Sequence, residues 1–173
     1  MHLIPSNESA FPADLVSFLA LNKITFIFWV PTIMVNISNL NILSSINLNS
    51  LKKVFFAGEV FPTKHLNYWR NKIPSAQFVN LYGPIEIAVD CTYFIVNRFF
   101  EDNEVVPIGI PCNNSDILIL NSDDNLAEDG EQGELCVRGS SLALGYYNNQ
   151  EQTDKVFVQN PLNNSYPEKI YRT

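Results

Sequence analysis

Little in this sequence suits a membrane, a secretory route or a nucleic-acid surface. The longest apolar stretch, Ile24 to Val35, is interrupted by Thr25, Pro31 and Thr32. It falls short of the about 20 apolar residues that a spanning helix needs, so no membrane partner is expected. The opening Met1-His2-Leu3-Ile4-Pro5 has neither the basic start nor the apolar run of a signal peptide, and a cytoplasmic location follows. Cysteine is scarce as well. Cys91, Cys112 and Cys136 are odd in number and far apart, without the paired spacing of a zinc site or the density of a disulfide scaffold. Cys136, between Leu135 and Val137, reads as a buried strand thiol. Basic residues are outnumbered, 11 Lys and Arg against 18 Asp and Glu, for a formal net charge of -7. An acidic surface repels phosphate backbones, which argues against nucleic acid as a general partner. A local phosphate site stays open, because backbone N–H groups and a bound metal ion can supply positive potential. Repeats and low-complexity tracts are missing too.

What is present is a globular composition, 46% hydrophobic and 17% charged over 173 residues, enough for one ordinary core or one and a half small ones. The first half alternates helix and strand signals. Ala13 to Leu21 carries Leu15, Phe18 and Leu19 at helical spacing, with Ser9 as its expected cap. Ile24 to Trp29 is a β-branched and aromatic run, and Pro31 suits the first residue of a short helix through Val35. Lys52 to Phe56 reads as a second strand, Thr63 to Lys72 as a helix and Gln77 to Leu81 as a third strand. Strands separated by helices imply parallel βαβ units, whose ligands bind beyond the carboxyl ends of the strands. After about residue 100 the spacing becomes that of hairpins. Asp116 to Leu120 and Glu134 to Arg138 read as strands around the acidic turn Asp123 to Gly133, and Asn149 caps a short helix through Lys155. The expected fold is therefore α/β, with a parallel βαβ subdomain over residues 1–100 and a smaller antiparallel or barrel-like β subdomain over 101–173.

Two loops fall at strand ends where a ligand would sit: Ala57-Gly58-Glu59 and Tyr82-Gly83-Pro84-Ile85-Glu86. The second has the make-up of a nucleotide pocket. Tyr82 offers a flat face for a purine, Gly83 permits close backbone approach, Pro84 fixes the turn, and Glu86 places a hard oxygen where Mg2+ could bridge phosphates.

Taken with its flanks, the stretch Asn80-Leu81-Tyr82-Gly83-Pro84-Ile85-Glu86 resembles the Tyr-Gly-Pro-Thr-Glu core of the adenylate-forming superfamily. That superfamily includes the amino-acid-activating domains of nonribosomal peptide synthetases, D-alanine-carrier protein ligases, acyl-CoA synthetases and luciferases. Three more segments agree in order and spacing. Gly133-Glu134-Leu135-Cys136-Val137-Arg138-Gly139 with Leu144-Gly145-Tyr146-Tyr147 is similar to the family's Gly-Glu-Leu and Gly-Tyr segment. Tyr171-Arg172-Thr173 is similar to the start of its Tyr-Arg-Thr-Gly-Asp, and Ala57-Gly58-Glu59 to its Gly-Gly-Glu loop.

The resemblance implies ATP and Mg2+ as cofactors and a small carboxylate, an amino acid above all, as substrate. The acyl group would pass to a carrier protein's phosphopantetheine or to coenzyme A. By position, Ala57, Gly58 and Glu59 would line the adenine, Asn80 would meet its exocyclic amine and Tyr82 would stack on it, within an ATP site running from Asn80 and Leu81 through Gly83, Pro84 and Ile85. Glu86 would be the catalytic Mg2+ ligand. Phe55, Ala57, Leu81, Val89 and Asp90 would border the substrate, Asp90 being suited to an ammonium group. Phe55 and Leu81 are equally open to a reading as plain core.

One residue departs from the family. Ile85 stands where the family has Thr, and cannot donate a hydrogen bond to phosphate. Losing a charge-assisted bond of roughly 1.5–3 kcal/mol would slow adenylation by about ten- to a hundredfold. The family's Lys-bearing phosphate loop, its ribose-binding Asp and its C-terminal lysine have no counterpart here. The sequence thus reads as an internal fragment, expected to be inactive alone and to dimerise through exposed sheet surface. An acyl-CoA synthetase fragment and a non-catalytic nucleotide-binding module are the alternatives. His65 reads as a helix-surface residue, Arg138 and Arg172 as either ATP contacts or ion-paired strand residues, and Asp123-Asp124-Asn125 as a hairpin turn rather than a calcium loop.

Overall fold

The structure, a computed structural model, describes residues 2–173. Its chain forms two compact units that interleave along the sequence. The first comprises the chain up to Leu81 together with Phe94–Gly109; the second comprises Tyr82–Tyr93 and Ile110–Thr173. The sequence spacing had suggested one boundary near residue 100. Instead the segment 82–93 folds with the later strands, because Cys91 N–H donates to the Tyr82 carbonyl and Cys112 N–H to the Cys91 carbonyl, both at 2.8 Å.

The first unit holds α1 (Ser6–Ser9), α2 (Pro12–Leu21), β1 (Phe26–Trp29), α3 (Pro31–Asn39), β2 (Lys53–Phe56), α4 (Thr63–Lys72) and most of β3 (Gln77–Tyr82). β1 pairs with β2 and β2 with β3, both in parallel, in the register Phe26↔Lys53 and Lys53↔Gln77. Ile27, Val54, Phe56 and Phe78 lie on one face and are buried with Leu15, Met34, Leu66 and Trp69 from the helices. That alternation of period two explains why Phe26 and Phe28, on the opposite face, stay 48% and 45% exposed. Trp69 is completely buried because its indole N–H finds the Met34 carbonyl at 2.9 Å.

Two local expectations are corrected here. The N-cap position of α2 falls at Phe11, without a side-chain hydrogen bond, while Ser9 belongs to α1 and its side chain lies outside the described residues. Pro12 at the first helical position compensates by presetting φ. The helix begun by Pro31 continues to Asn39 rather than stopping near Val35, since Met34 and Ile37 together reach the core.

The second unit contains β4 (Thr92–Ile95) in part, β5 (Ile110–Pro111), β6 (Ser115–Leu120), β7 (Glu134–Gly139), α5 (Gln150–Val156), β8 (Phe157–Gln159) and β9 (Lys169–Arg172). Its principal sheet has the order β6-β7-β9-β8, antiparallel throughout. The β6–β7 turn is held by Asn121, whose side-chain oxygen accepts from Asp123 N–H and Asn125 N–H at 3.1 Å, which is turn chemistry rather than ion binding. Asn149 caps α5 by accepting from Gln152 N–H, and Cys136 is fully buried, both as the sequence implies. No helix among the described residues is long and apolar enough to cross a membrane.

Candidate functional site

In the first unit, the parallel pairing sets Phe56 beside Asn80, so the loop leaving β2 starts next to the end of β3. Gly58 takes φ +87°, a conformation that side chains rarely adopt, and this explains the glycine at the loop's apex. The Glu59 carboxylate is already engaged: one oxygen accepts from Thr32 N–H at 3.0 Å and from the Thr32 hydroxyl at 2.6 Å. Val30, at the N-cap of α3, offers no side-chain cap, so Glu59 supplies the anion that the helix N-terminus favours. The Glu59 carboxylate is thereby directed at the head of α3.

Asn80 donates through Nδ2 to the Pro107 carbonyl at 2.9 Å. That bond orients the amide and leaves Oδ1 as an acceptor, the polarity an exocyclic amine requires. Phe55 and Leu81 are half-buried and lie outside the main core cluster. Phe55 meets Phe26 edge-on, with ring centroids 5.0 Å apart, on the face away from the helices.

In the second unit, Tyr82 packs against a cluster of Ile87, Cys91, Val137, Phe157 and Tyr171. Gly83 is needed for a reason the sequence conceals. A Cβ there would stand 2.5 Å from the Val89 carbonyl oxygen and 2.7 Å from Asp90 Cα, so the backbone that approaches it closely is the chain's own. Pro84 begins a turn over Ile85–Ile87, in which Ile87 is completely buried and Ile85 is 82% exposed. Ala88 and Val89 follow at φ +61° and +88°, two consecutive non-glycine residues in the left-handed region. Backbone strain of this kind concentrates at ligand clamps and active sites. Asp90 carries a buried, unpartnered Oδ1, and burial raises its carboxyl above the ordinary aspartate range.

Glu86 is fixed at two points. Its carbonyl accepts from Ala143 N–H at 2.7 Å, and its Oε1 accepts from the Tyr146 hydroxyl. The hydrogen bond to Glu86, reinforced by burial and by Tyr171, pushes the Tyr146 phenol well above the usual tyrosine range. Sequence reading found Tyr146 as part of a motif but gave it no role. The pairing spans 60 residues, and nothing in local spacing signals it.

Both motif arginines are ion-paired within the second unit. Arg138 meets Asp116 at 3.1 Å and Glu168 at 3.2 Å, and Arg172 meets Glu134 at 2.7 Å and Asp124 at 2.8 Å. Of their two readings, the structure favours the strand ion pair. His65 is corrected from a surface residue to a buried one, its Nδ1 3.0 Å from the Ser38 hydroxyl, with burial lowering its pKa. A hydroxyl on the neighbouring helix made that burial tolerable.

The pattern describing AMP-binding enzymes matches residues 1–147. Tyrocidine synthase 1 of Brevibacillus parabrevis is 33% identical over 156 residues, covering 90% of this chain and 13% of that protein. Tyrocidine synthase 3 of the same organism is 32% identical over 173 residues, covering 100% of this chain and 3% of that protein. The chain spans 2% of the length of another such relative, bacitracin synthase 1 of Bacillus licheniformis. Among solved structures, CmiS6 superposes with a TM-score of 0.89 at 24% identity, over 98% of this chain and 41% of its own. IdnL1 gives 0.87 at 25% identity, over 98% of this chain and 35% of its own.

Proposed function

Since the chain belongs to the family of AMP-binding enzymes, we propose that it forms part of an ATP-dependent ligase that activates an amino acid as its adenylate and passes it to a carrier-protein phosphopantetheine. One observation carries this reading. Glu86 is held through its backbone carbonyl by Ala143 and through its carboxylate by Tyr146 at the end of a Tyr-Gly-Pro turn, a fixed hard-oxygen group of the kind that binds a cation. Mg2+ suits such a place, because it is typically held by one or two carboxylates plus substrate phosphates and water. When bound, Mg2+ would draw charge from the phosphates as the substrate carboxylate attacks the α-phosphorus and pyrophosphate leaves. The residues of this chain position the reactants. In the first unit, the backbone of Ala57, Gly58 and Glu59 and Oδ1 of Asn80 are the groups assigned to the adenine edge, and Phe55, Ala57 and Leu81 those assigned to the carboxylate substrate. In the second unit, Tyr82 is the ring assigned to stack on adenine, Gly83, Pro84 and Ile85 are assigned to the phosphates, and Val89 and Asp90 to the carboxylate substrate. An aspartate with a buried oxygen and no partner is suited to a substrate ammonium, which favours an amino acid over a fatty acid. The relatives named as tyrocidine and bacitracin synthases point the same way. The apolar face carrying Phe26 and Phe28 provides a surface for self-association.

ATP–pyrophosphate exchange tests the reading. The full-length protein, offered a panel of amino and fatty acids, is expected to exchange with an amino acid, and the 173-residue chain alone is expected not to. Exchange with fatty acids only would instead make the protein an acyl-CoA synthetase. Nucleotide binding without exchange on any acid would make it a non-catalytic module, an outcome to which Ile85 in the family's Thr position lends weight.

A further inference from the structure

We propose that Tyr146 is a positioning residue for the metal site, holding the Glu86 carboxylate in the orientation that receives Mg2+·nucleotide; this rests on the reading of Glu86 given above. The Tyr146 hydroxyl donates to Glu86 Oε1, and the Tyr171 side chain is hydrogen-bonded to both Tyr146 and the same carboxylate. The orientation of Glu86 is thus set by this tyrosine pair, with lone pairs of its carboxylate remaining for a cation. Tyr146 is in turn fixed at its backbone and at its ring. Its backbone N–H donates to the Thr153 hydroxyl at 2.8 Å. That same hydroxyl donates to the Asn149 carbonyl at 2.9 Å, tying the segment to the cap of α5. The Tyr146 ring meets Phe157 nearly edge-on, with centroids 5.8 Å apart. Glu86 receives support from the same stretch of chain, since its carbonyl accepts from Ala143 N–H at 2.7 Å.

A carboxylate in an exposed turn has several rotamers and loses that freedom when it ligates a metal. A donor already bonded to one oxygen removes part of the loss beforehand. Outer partners of this kind commonly matter to a metal site by 10- to 100-fold in affinity, so about that range is expected here. The Gly-Tyr segment thus has a job at the phosphates, although it lies 60 residues from the Tyr-Gly-Pro turn.

The test uses Mn2+ as an observable stand-in for Mg2+, titrated into the full-length protein with a non-hydrolysable ATP analogue and followed by electron paramagnetic resonance. Tyr146→Phe removes one oxygen and keeps the ring against Phe157. It is expected to weaken the Mn2+·nucleotide complex by about 10- to 100-fold, while metal-free nucleotide binding stays as in the parent. Tyr147→Phe, at a residue 94% exposed, is expected to change neither. Thr153→Ala, which removes the hydroxyl that accepts from Tyr146 N–H, is expected to give a smaller loss in the same direction, and it serves as the test if the Phe variant does not fold. Unchanged Mn2+ affinity in Tyr146→Phe alongside a loss in Glu86→Gln would overturn the positioning role and leave the Glu86 reading standing. Unchanged affinity in Glu86→Gln would remove both together.

Discussion

At the scale of single residues, the informative positions are those where a polar group is held against its preference. Asp90 is one. Its Oδ1 is buried without a partner, and desolvation disfavours the charged form, so its folded pKa lies above the unfolded value. The sign of the linkage follows. Between the unfolded aspartate pKa, about 3.9, and the raised folded value, the native state binds more protons than the unfolded state. Stability therefore falls as pH rises through that window and stays lower above it. Asp90→Asn keeps the shape and removes the charge. Its melting temperature is expected to exceed the parent's at pH 7 and to match it near pH 3, as scanning calorimetry would show. An equal difference at both pH values would mean that the buried charge is not the cause. The substitution should also weaken amino-acid binding if Asp90 receives the ammonium. Stability and function would then move in opposite directions, as they do where a site retains an unsatisfied group for its ligand.

At the scale of elements, the turn after the Tyr-Gly-Pro segment stores strain that its surroundings impose. Ala88 sits at φ +61° and ψ +45°, a left-handed conformation that costs an L-residue about 1–2 kcal/mol. Neighbouring contacts leave no alternative. Ile87 is buried before it, Gly83 is packed against residues 89–91 after it, and Cys91 N–H is bonded to the Tyr82 carbonyl. Ala88→Gly is expected to stabilise the protein by about 0.5–1 kcal/mol, the lost Cβ clash outweighing the extra backbone entropy of glycine. A urea midpoint that falls would show that Ala88 is not strained. The same turn shows where sequence reading stops. Pro84 and Gly83 announce a tight turn, but the left-handed pair Ala88-Val89 carries no glycine or asparagine to mark it. Glu59 is similar: its role at the head of α3 depends on β2 lying beside β1, a contact 27 residues away in the chain.

For the molecule as a whole, the parallel strands present an uncovered apolar face. Phe26 and Phe28 are both near half exposed on β1, which among the described strands pairs on one side only, with β2. Edges and faces of this kind associate unless charge guards them. The 173-residue chain is expected to self-associate as concentration rises, and Phe28→Lys to reduce that association without disturbing Ile27, which points into the core. Light scattering that finds the parent monomeric at every concentration would dismiss the surface as a contact.

The division between what the chain announces and what folding decides follows from range. Periodicity and caps act over a few residues. The parallel strands, the helix Thr63–Lys72, the Asn149 cap and the hairpins after Asp116 were therefore legible from the chain alone, as were the motif residues themselves. Ends shifted where the core reached further than a local signal, as at Asn39, where Met34 and Ile37 prolong α3. Long-range pairings were silent in the sequence. The engagement of Glu59 by Thr32, the burial of His65 against Ser38, the exclusion of any side chain at Gly83 and the grip of Tyr146 on Glu86 each join groups that only chain reversal brings within hydrogen-bonding or van der Waals distance. A residue type states which bonds it is able to make; the fold alone decides which partner is near enough to make them.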